Sequence, residues 1–492
     1  MKSRILLISI VILLVGCISL PENAEVVDSQ PRIYPDYLQA EIPVNIAPLN
    51  FKMVEKCQQM VVLFTGKNSR FQVSGKQKIE IPLSKWRKML AESKDDSVKV
   101  QVFASFEGKW KQYQPFAFYV RPEPVDPYLA YRLIAPGYVV WSKMGIYQRN
   151  LTNFEQEAII TNSLVPGACM NCHAFRQNSA DSMIFHLRVP NGGTVLLQGD
   201  VVEKLATKTD QTISNFVYPY WHPGGDYIAF SVNNISQVFH ATAQKRIEVV
   251  DAKSDIIVYD IRNNKVLTCD FLTTPDFFET FPAFTPNGKN LVFCRAEARE
   301  TPGQYDSIKY NLCAVAFDPA TGHFGNRLDT LVAAAAFNKS VSFPRVSPDG
   351  KYLMFTLSDY GNFSIWHNEA DLYLLNLSDK TYRALDEVNS PRTESYHSWS
   401  SNSRWFVFSS RRDDGLYTRP YLSYVDETGR IGKPFMLPQK DPDFYTDLME
   451  SFNIPEFVKG EVNINSNAIE RLLYQGVSKQ VEATNELGSG HY

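Results

Sequence analysis

The strongest constraint on the fold is a phrase that returns along the second half of the chain. Tyr218-Pro219-Tyr220-Trp221-His222-Pro223-Gly224-Gly225-Asp226-Tyr227-Ile228-Ala229-Phe230 comes back as Phe281-Pro282-Ala283-Phe284-Thr285-Pro286-Asn287-Gly288 followed by Lys289 to Phe293. It returns as Phe343-Pro344-Arg345-Val346-Ser347-Pro348-Asp349-Gly350 followed by Lys351 to Phe355, and in degenerate form from Tyr396 to Phe408. Pro-Asp-Gly and Pro-Asn-Gly make tight turns, because Pro fixes φ and Gly accepts positive φ. Residues on either side alternate between apolar and polar, so each copy reads as a β-hairpin. Further strands fall between copies at 255–260, 312–317 and 371–376. Four-stranded units in series predict a β-propeller. The repeat's prolines stand at 219, 282 and 344, intervals of 63 and 62. Both exceed the roughly 40–45 residues of a usual blade and call for long loops.

The phrase F-P-x-[WF]-[ST]-P-[DN]-G-K-x-[LI]-x-F resembles the blade motif of TolB-like β-propellers. It departs from that pattern at His222, in place of Ser or Thr, and at His397, in place of Pro. The resemblance covers about residues 181–455 and implies a ring of about six blades.

Ahead of the first of these copies stands Cys169-Met170-Asn171-Cys172-His173. C-x-x-C-H is the attachment signature of a c-type haem: two thiols add to the vinyl groups of one porphyrin and the adjacent imidazole takes the iron. A structural zinc site would bring a second Cys/His pair at short spacing, and none follows. A thioredoxin-like dithiol would sit beside a βαβ pattern, whereas the flanks here are turn-like. One covalent haem c, on Cys169, Cys172 and His173, is therefore expected. Its sixth ligand decides between electron transfer and ligand chemistry. Met183 and His186 are the nearest downstream candidates; on one strand their odd separation puts them on opposite faces. His222, His240, His397, Met144 and an open position are the alternatives.

The first residues predict where such a haem is made. Met1-Lys2-Ser3-Arg4 is basic, and Ile5–Val15 is apolar apart from Ser9 and too short to span a bilayer. It ends in Leu14-Val15-Gly16-Cys17, which resembles a bacterial lipobox. That implies a signal peptide over 1–16, lipidation of Cys17 and an exported protein anchored in the cell envelope at the periplasmic face of a membrane. Lipobox, β-rich N-terminal region, C-x-x-C-H and TolB-like blades together look like a family of exported propellers with a single haem site.

The remaining chain reads as a tether over 17–45, a small β-sandwich over 46–122 with one helix from Ser84 to Ser93, and a haem-carrying insert over 123–180. The propeller follows over 181–455. A mobile tail over 456–492 includes a short helix from Ser466 to Gly476. Trp86 and Trp110 read first as packing residues and only weakly as a glycan platform. Cys57, Cys269, Cys294 and Cys313 allow three full disulfide pairings, or none.

A net charge of −3 and a pI near 6.3 give no electrostatic case for nucleic acid. The leading functional reading is a membrane-tethered monohaem c-type cytochrome whose propeller docks a redox or protein partner. The alternatives are a haem enzyme acting on peroxide or nitrite, and a binding or scaffold lipoprotein with a structural or sensing haem. No G-x-S-x-G accompanies the blades to suggest a serine hydrolase.

Overall fold

The computed structural model describes residues 19–135, 143–188, 192–239 and 247–483. The chain is mainly β, and five four-stranded sheets and one of five strands form a six-bladed propeller. The inner strands of blades 2 to 6 are, in chain order, Cys169–Phe175, Val217–Trp221, Phe277–Phe284, Ser340–Val346 and Glu394–Trp399. Blade 1 takes its outer three strands from Tyr128–Ile134, Met144–Asn150 and Gln156–Thr161, and its inner strand from Ser451–Val458 near the C-terminus. The ring is thus closed by a clasp in which the end of the chain pairs antiparallel with Tyr128–Ile134.

The repeat has a clear physical basis. On every inner strand one non-glycine residue lies in the left-handed region: Cys172 at φ 55°, Tyr218 at 50°, Phe281 at 52°, Phe343 at 51°, Tyr396 at 50° and Ile454 at 52°. Strand pairing slips at the same point in all six blades. Such a backbone costs of order 1 kcal/mol or more for an L-residue and persists only where its surroundings enforce it. Here the ring enforces it. Tyr218, Phe281, Phe343 and Tyr396 pack ring against ring in sequence, edge-to-face at either end and tilted between, with centroids 4.6, 4.1 and 4.7 Å apart. Downstream, the hydroxyls of Thr285, Ser347 and Ser400 accept the backbone N–H five residues on, at 3.1, 3.0 and 3.0 Å, and stabilise the hairpin turn. In blade 3, His222 Nδ1 does related work by accepting from Gly224 N at 3.0 Å.

Several boundaries differ from expectation. The segment 123–180 is not an insert: it supplies three strands of blade 1 and the inner strand of blade 2, so the propeller runs from Tyr128 to Val458. Nor is 17–45 a free tether beyond its first residues. Glu25–Val26 and Glu41–Pro43 add to the N-terminal sheet, and Ile33, Tyr37, Ala40 and Ile42 are buried. That sheet has seven strands, with Asp96–Phe106 pairing Phe116–Arg121 along one half and Lys109–Gln112 along the other. The helix Leu83–Glu92 and a two-stranded ribbon, Ile33–Tyr34 with Lys52–Met53, pack into the same core. A second full sheet, as in a sandwich, is not among the described residues. Trp86 is wholly buried there and donates to Ile46 O at 2.9 Å, which removes it as a glycan platform.

The C-terminal helix spans Ser466–Gln475 and is capped by Asn465. Its Ile469 and Leu473 are buried against blade 2, and Lys479–Gln480 pairs in parallel with Leu205–Ala206. The tail is therefore docked as far as residue 483. Residues 484–492 lie outside the described residues, as do the signal peptide, Cys17 and His240. No helix among the described residues is long and apolar enough to cross a membrane.

On the face opposite the hairpin turns, the strands Tyr227–Phe239 and Ile247–Asp260 of blade 3 extend beyond their blade and reach blades 4 and 5. Asp251 accepts from Tyr310 Oη of blade 4 at 2.7 Å and from Asn362 Nδ2 of blade 5 at 2.5 Å. Glu248 accepts from Tyr360 Oη at 2.6 Å and lies 3.3 Å from His367 Nε2.

Candidate functional site

The inner strand of blade 2 carries the whole C-x-x-C-H motif. Cys169, Met170, Cys172 and His173 are all buried. Cys172 occupies the position held by Tyr218, Phe281, Phe343, Tyr396 and Ile454 in the other blades, and His173 occupies the Pro position. The sulfur of Cys172 thus joins the axial ring, next to Tyr218, whose backbone N–H is directed at it. Burial pushes this thiol up from its ordinary range, and Arg188 and Arg132 partly offset that. Neither Cys169 nor Cys172 is in a disulfide.

His173 and His397 share one blade position and differ in one respect. His397 Nε2 meets Met354 O at 3.0 Å. Among the described residues neither nitrogen of His173 makes a hydrogen bond of good geometry, although the ring is only 2% exposed; of His397 only Nδ1 is left so. Burial and the nearby Arg132 charge push His173 down to about 3, with the Ile454 backbone opposing weakly, so its imidazole is neutral at physiological pH. Buried polar groups in folded proteins are overwhelmingly paired, and an unpaired neutral imidazole is the form that ligates a metal.

Two free thiols beside such an imidazole fit the donor chemistry of a c-type haem. They do not fit zinc: no three His, Cys, Asp or Glu side chains among the described residues converge on one point. Arg132 donates to Asn171 Oδ1 at 2.5 Å, and Arg188 faces Cys169 across the strand pair.

The candidate sixth ligands part company. Met183, opposite Phe175, is wholly buried in the core between blades 1 and 2. His186, opposite Asn171, faces blade 3 and lines a cavity of about 250 Å³ with Arg188 and Tyr218. The expected division between two faces is thus what the strand does. His186 Nδ1 lies 3.0 Å from Thr194 Oγ1, and burial with the Arg188 charge pushes it down to about 4. Met144 reaches the motif from blade 1, where its Sδ accepts from Met170 N at 3.2 Å. His222 holds the turn region between blades 3 and 4 through Gly288 O at 3.2 Å, and His397 belongs to blade 6.

The sequence left one regularity unread. Cys172-His173-Ala174-Phe175 and Ile454-Pro455-Glu456-Phe457 are the fifth and sixth copies of the inner-strand phrase, and Tyr396-His397-Ser398-Trp399 shows that His is tolerated there. The x-[PH]-x-[FWV] spacing was the available signal. Of the other four cysteines, none forms a disulfide; Cys294 and Cys313 sit on neighbouring strands but in different core clusters.

No family model matches the chain and no curated protein matches it. Among solved structures, a DUF4784 family protein from Bacteroides caccae is similar at 8% identity and a TM-score of 0.30, over 72% of this chain and 95% of that one. A puromycin-hydrolyzing peptidase of Mycobacterium tuberculosis is similar at 10% identity and a TM-score of 0.36, over 84% of this chain and 57% of that one. Prolyl oligopeptidase B from Galerina marginata is similar at 10% identity and 0.33, over 61% and 44%. Likenesses this distant assign this chain no chemistry.

Proposed function

We propose that the protein is an exported, lipid-anchored TolB-like propeller that carries one covalent c-type haem on Cys169 and Cys172, with His173 on the iron. The reading rests above all on the C-x-x-C-H spacing together with His173, a buried, neutral imidazole neither of whose nitrogens makes a hydrogen bond of good geometry among the described residues, where one nitrogen of its blade-6 counterpart His397 is paired. When bound, the haem supplies one-electron chemistry at iron. The chain's own contribution is to fix the imidazole, keep it neutral through burial and Arg132, and offer Arg132 and Arg188 to anionic groups. Of the two downstream candidates it is His186 that would be open to such a group, because it lines the cavity beside Tyr218 while Met183 lies in closed core. The ring is the docking platform for a redox or protein partner, and Cys17 carries the lipid that holds it at the membrane.

The test is an absorption spectrum of protein exported in a host competent for haem maturation, reduced and oxidised, with and without carbon monoxide. A c-type spectrum that survives denaturation and disappears in Cys169→Ser/Cys172→Ser is expected. Haem-free protein from such a host overturns the reading and leaves Cys172 and His173 as variants of the blade phrase. Incorporation of labelled palmitate, lost in Cys17→Ser, tests the anchor separately.

A further inference from the structure

The face bearing the hairpin turns holds a second site that the haem reading does not use. A funnel of about 280 Å³ opens there at the centre of the ring. Phe175, Trp221, Phe284, Val346 and Trp399, from successive inner strands, give it an apolar and aromatic stretch of wall within a lining that is otherwise largely polar. Both indoles are fixed by backbone carbonyls, Trp221 Nε1 by Ala174 O at 3.2 Å and Trp399 Nε1 by Arg345 O at 3.0 Å. The wall is therefore preformed.

Two opposite charges enter this funnel from different blades. Arg345 projects from blade 5, its guanidinium 5.1 Å from the centroid of Tyr220, and its Nη1 donates to Pro344 O at 2.9 Å. Glu456 projects from the clasp strand of blade 1, where its Oε2 accepts the backbone N–H of Phe175 at 3.0 Å. Burial pushes Glu456 up to about 7, with Arg345 opposing through space. Yet no ion pair joins Arg345 and Glu456 among the described residues. Holding complementary charges apart in a partly desolvated site forfeits their direct attraction. The arrangement makes sense where a ligand with both charges fits between them. Ligand sites are concave and mostly apolar, with a few convergent polar groups, and run from roughly 300 to 1,000 Å³. This funnel lies just below that range, which suits an amino acid or dipeptide and not a polymer.

We propose that the funnel binds a small zwitterion, an α-amino acid or dipeptide with an apolar side chain, its carboxylate on Arg345 and its ammonium on Glu456. The side chain lies against Trp221, Phe284 and Trp399, and Lys459 at the rim adds positive charge on the carboxylate's approach. The assignment is independent of the haem.

Isothermal titration calorimetry on the full exported chain tests it with four probes: L-leucine, Leu-Leu, N-acetyl-L-leucine and L-leucinamide. L-leucine or Leu-Leu is expected to bind. The acetylated probe, without the cation, and the amide, without the anion, are each expected to bind at least about tenfold more weakly, as truncating one partner of a desolvated charge contact does. Arg345→Met and Glu456→Gln should each weaken the free zwitterion by a similar factor. The proposal is overturned if neither free zwitterion binds at about 10 mM, or if the blocked probes bind as well as the free ones. The probe comparison is made on the unaltered protein, so it decides the matter even where a variant does not fold.

Discussion

Glu279 offers a sharp test of how this ring tolerates buried charge. It lies on the inner strand of blade 4, directly opposite Arg295 on the next strand, and is wholly buried. Arg295 Nε reaches Oε1 at 3.0 Å and its guanidinium stacks 3.5 Å from the centroid of Phe277. Oε2 has no partner among the described residues. Burial pushes the carboxyl from 4.5 to about 8, outweighing Arg295, and Asp255 adds to the rise. A carboxyl raised by folding contributes stability below its unfolded value and loses it as pH climbs through the folded one. Between pH 5 and the folded value, about three units at about 1.4 kcal/mol each come to about 4 kcal/mol. Glu279→Gln keeps the shape and removes the charge. Urea unfolding followed by tryptophan fluorescence should show wild type losing about 4 kcal/mol relative to Glu279→Gln between pH 5 and pH 9. Other titrating groups cancel in that difference. Parallel pH profiles, with a divergence below about 1 kcal/mol, would refute the claim that this carboxyl is held against its will.

Three further perturbations probe the closure, the axis and the extended hairpin. Arg419 is buried and donates to Glu450 O, Tyr445 O and Leu448 O at 2.7, 2.7 and 2.8 Å, which fixes the approach to the clasp strand; Arg419→Met should cost about 3–5 kcal/mol by leaving these carbonyls unpaired, read as a lowered urea midpoint. Phe281→Ala opens the aromatic ring between Tyr218 and Phe343 and should cost about 3–5 kcal/mol in the same assay. The hairpin across blades 4 and 5 should loosen as pH rises: burial puts Asp251 up to about 6, and Glu248 and Glu369 hold His367 above its ordinary value despite burial, so both contacts lose stability on the alkaline side. Hydrogen exchange at residues 247–251, corrected for intrinsic rate, should show this, and Tyr310→Phe should accelerate it further.

Blades 3 to 6 were legible because their information is local. A Pro-[DN]-Gly turn between alternating strands declares a hairpin within about thirteen residues, and all four copies fold as the pattern predicts. Blade 2 was hidden by chemistry: Cys172-His173 replaces the aromatic-Pro pair, and the strand runs into Arg176–Asn178, with Gln177 and Asn178 at positive φ, in place of the usual turn. Blade 1 was hidden by distance, since Ile454-Pro455-Glu456-Phe457 completes a sheet whose other strands lie some 300 residues earlier in the sequence. Nothing local specifies that pairing. The N-terminal region read as a tether for a similar reason: Glu41–Pro43 is a strand only because Tyr119–Arg121 lies beside it in parallel. The three motif residues were visible from spacing alone. The condition of His173 was not, because an unpaired nitrogen is a property of what the rest of the ring fails to offer it.

The coincidence of motif and repeat changes what the motif means physically. In a small cytochrome the haem is itself much of the core, so its attachment and the fold depend on each other. Here Cys172 takes its left-handed backbone from a position that five other blades fill with Tyr, Phe or Ile, without any cofactor. The geometry at Cys172 and His173 is therefore set by the ring and paid for by the ring. A group bound there inherits a rigid strand whose far end, at Phe175 N, is held by Glu456 in the funnel on the other face. Glu456 is thereby hydrogen-bonded to the backbone two residues from His173. The clasp, the funnel and the C-x-x-C-H strand thus meet around Ala174 and Phe175, where Glu456 accepts from Phe175 N and Trp221 Nε1 donates to Ala174 O.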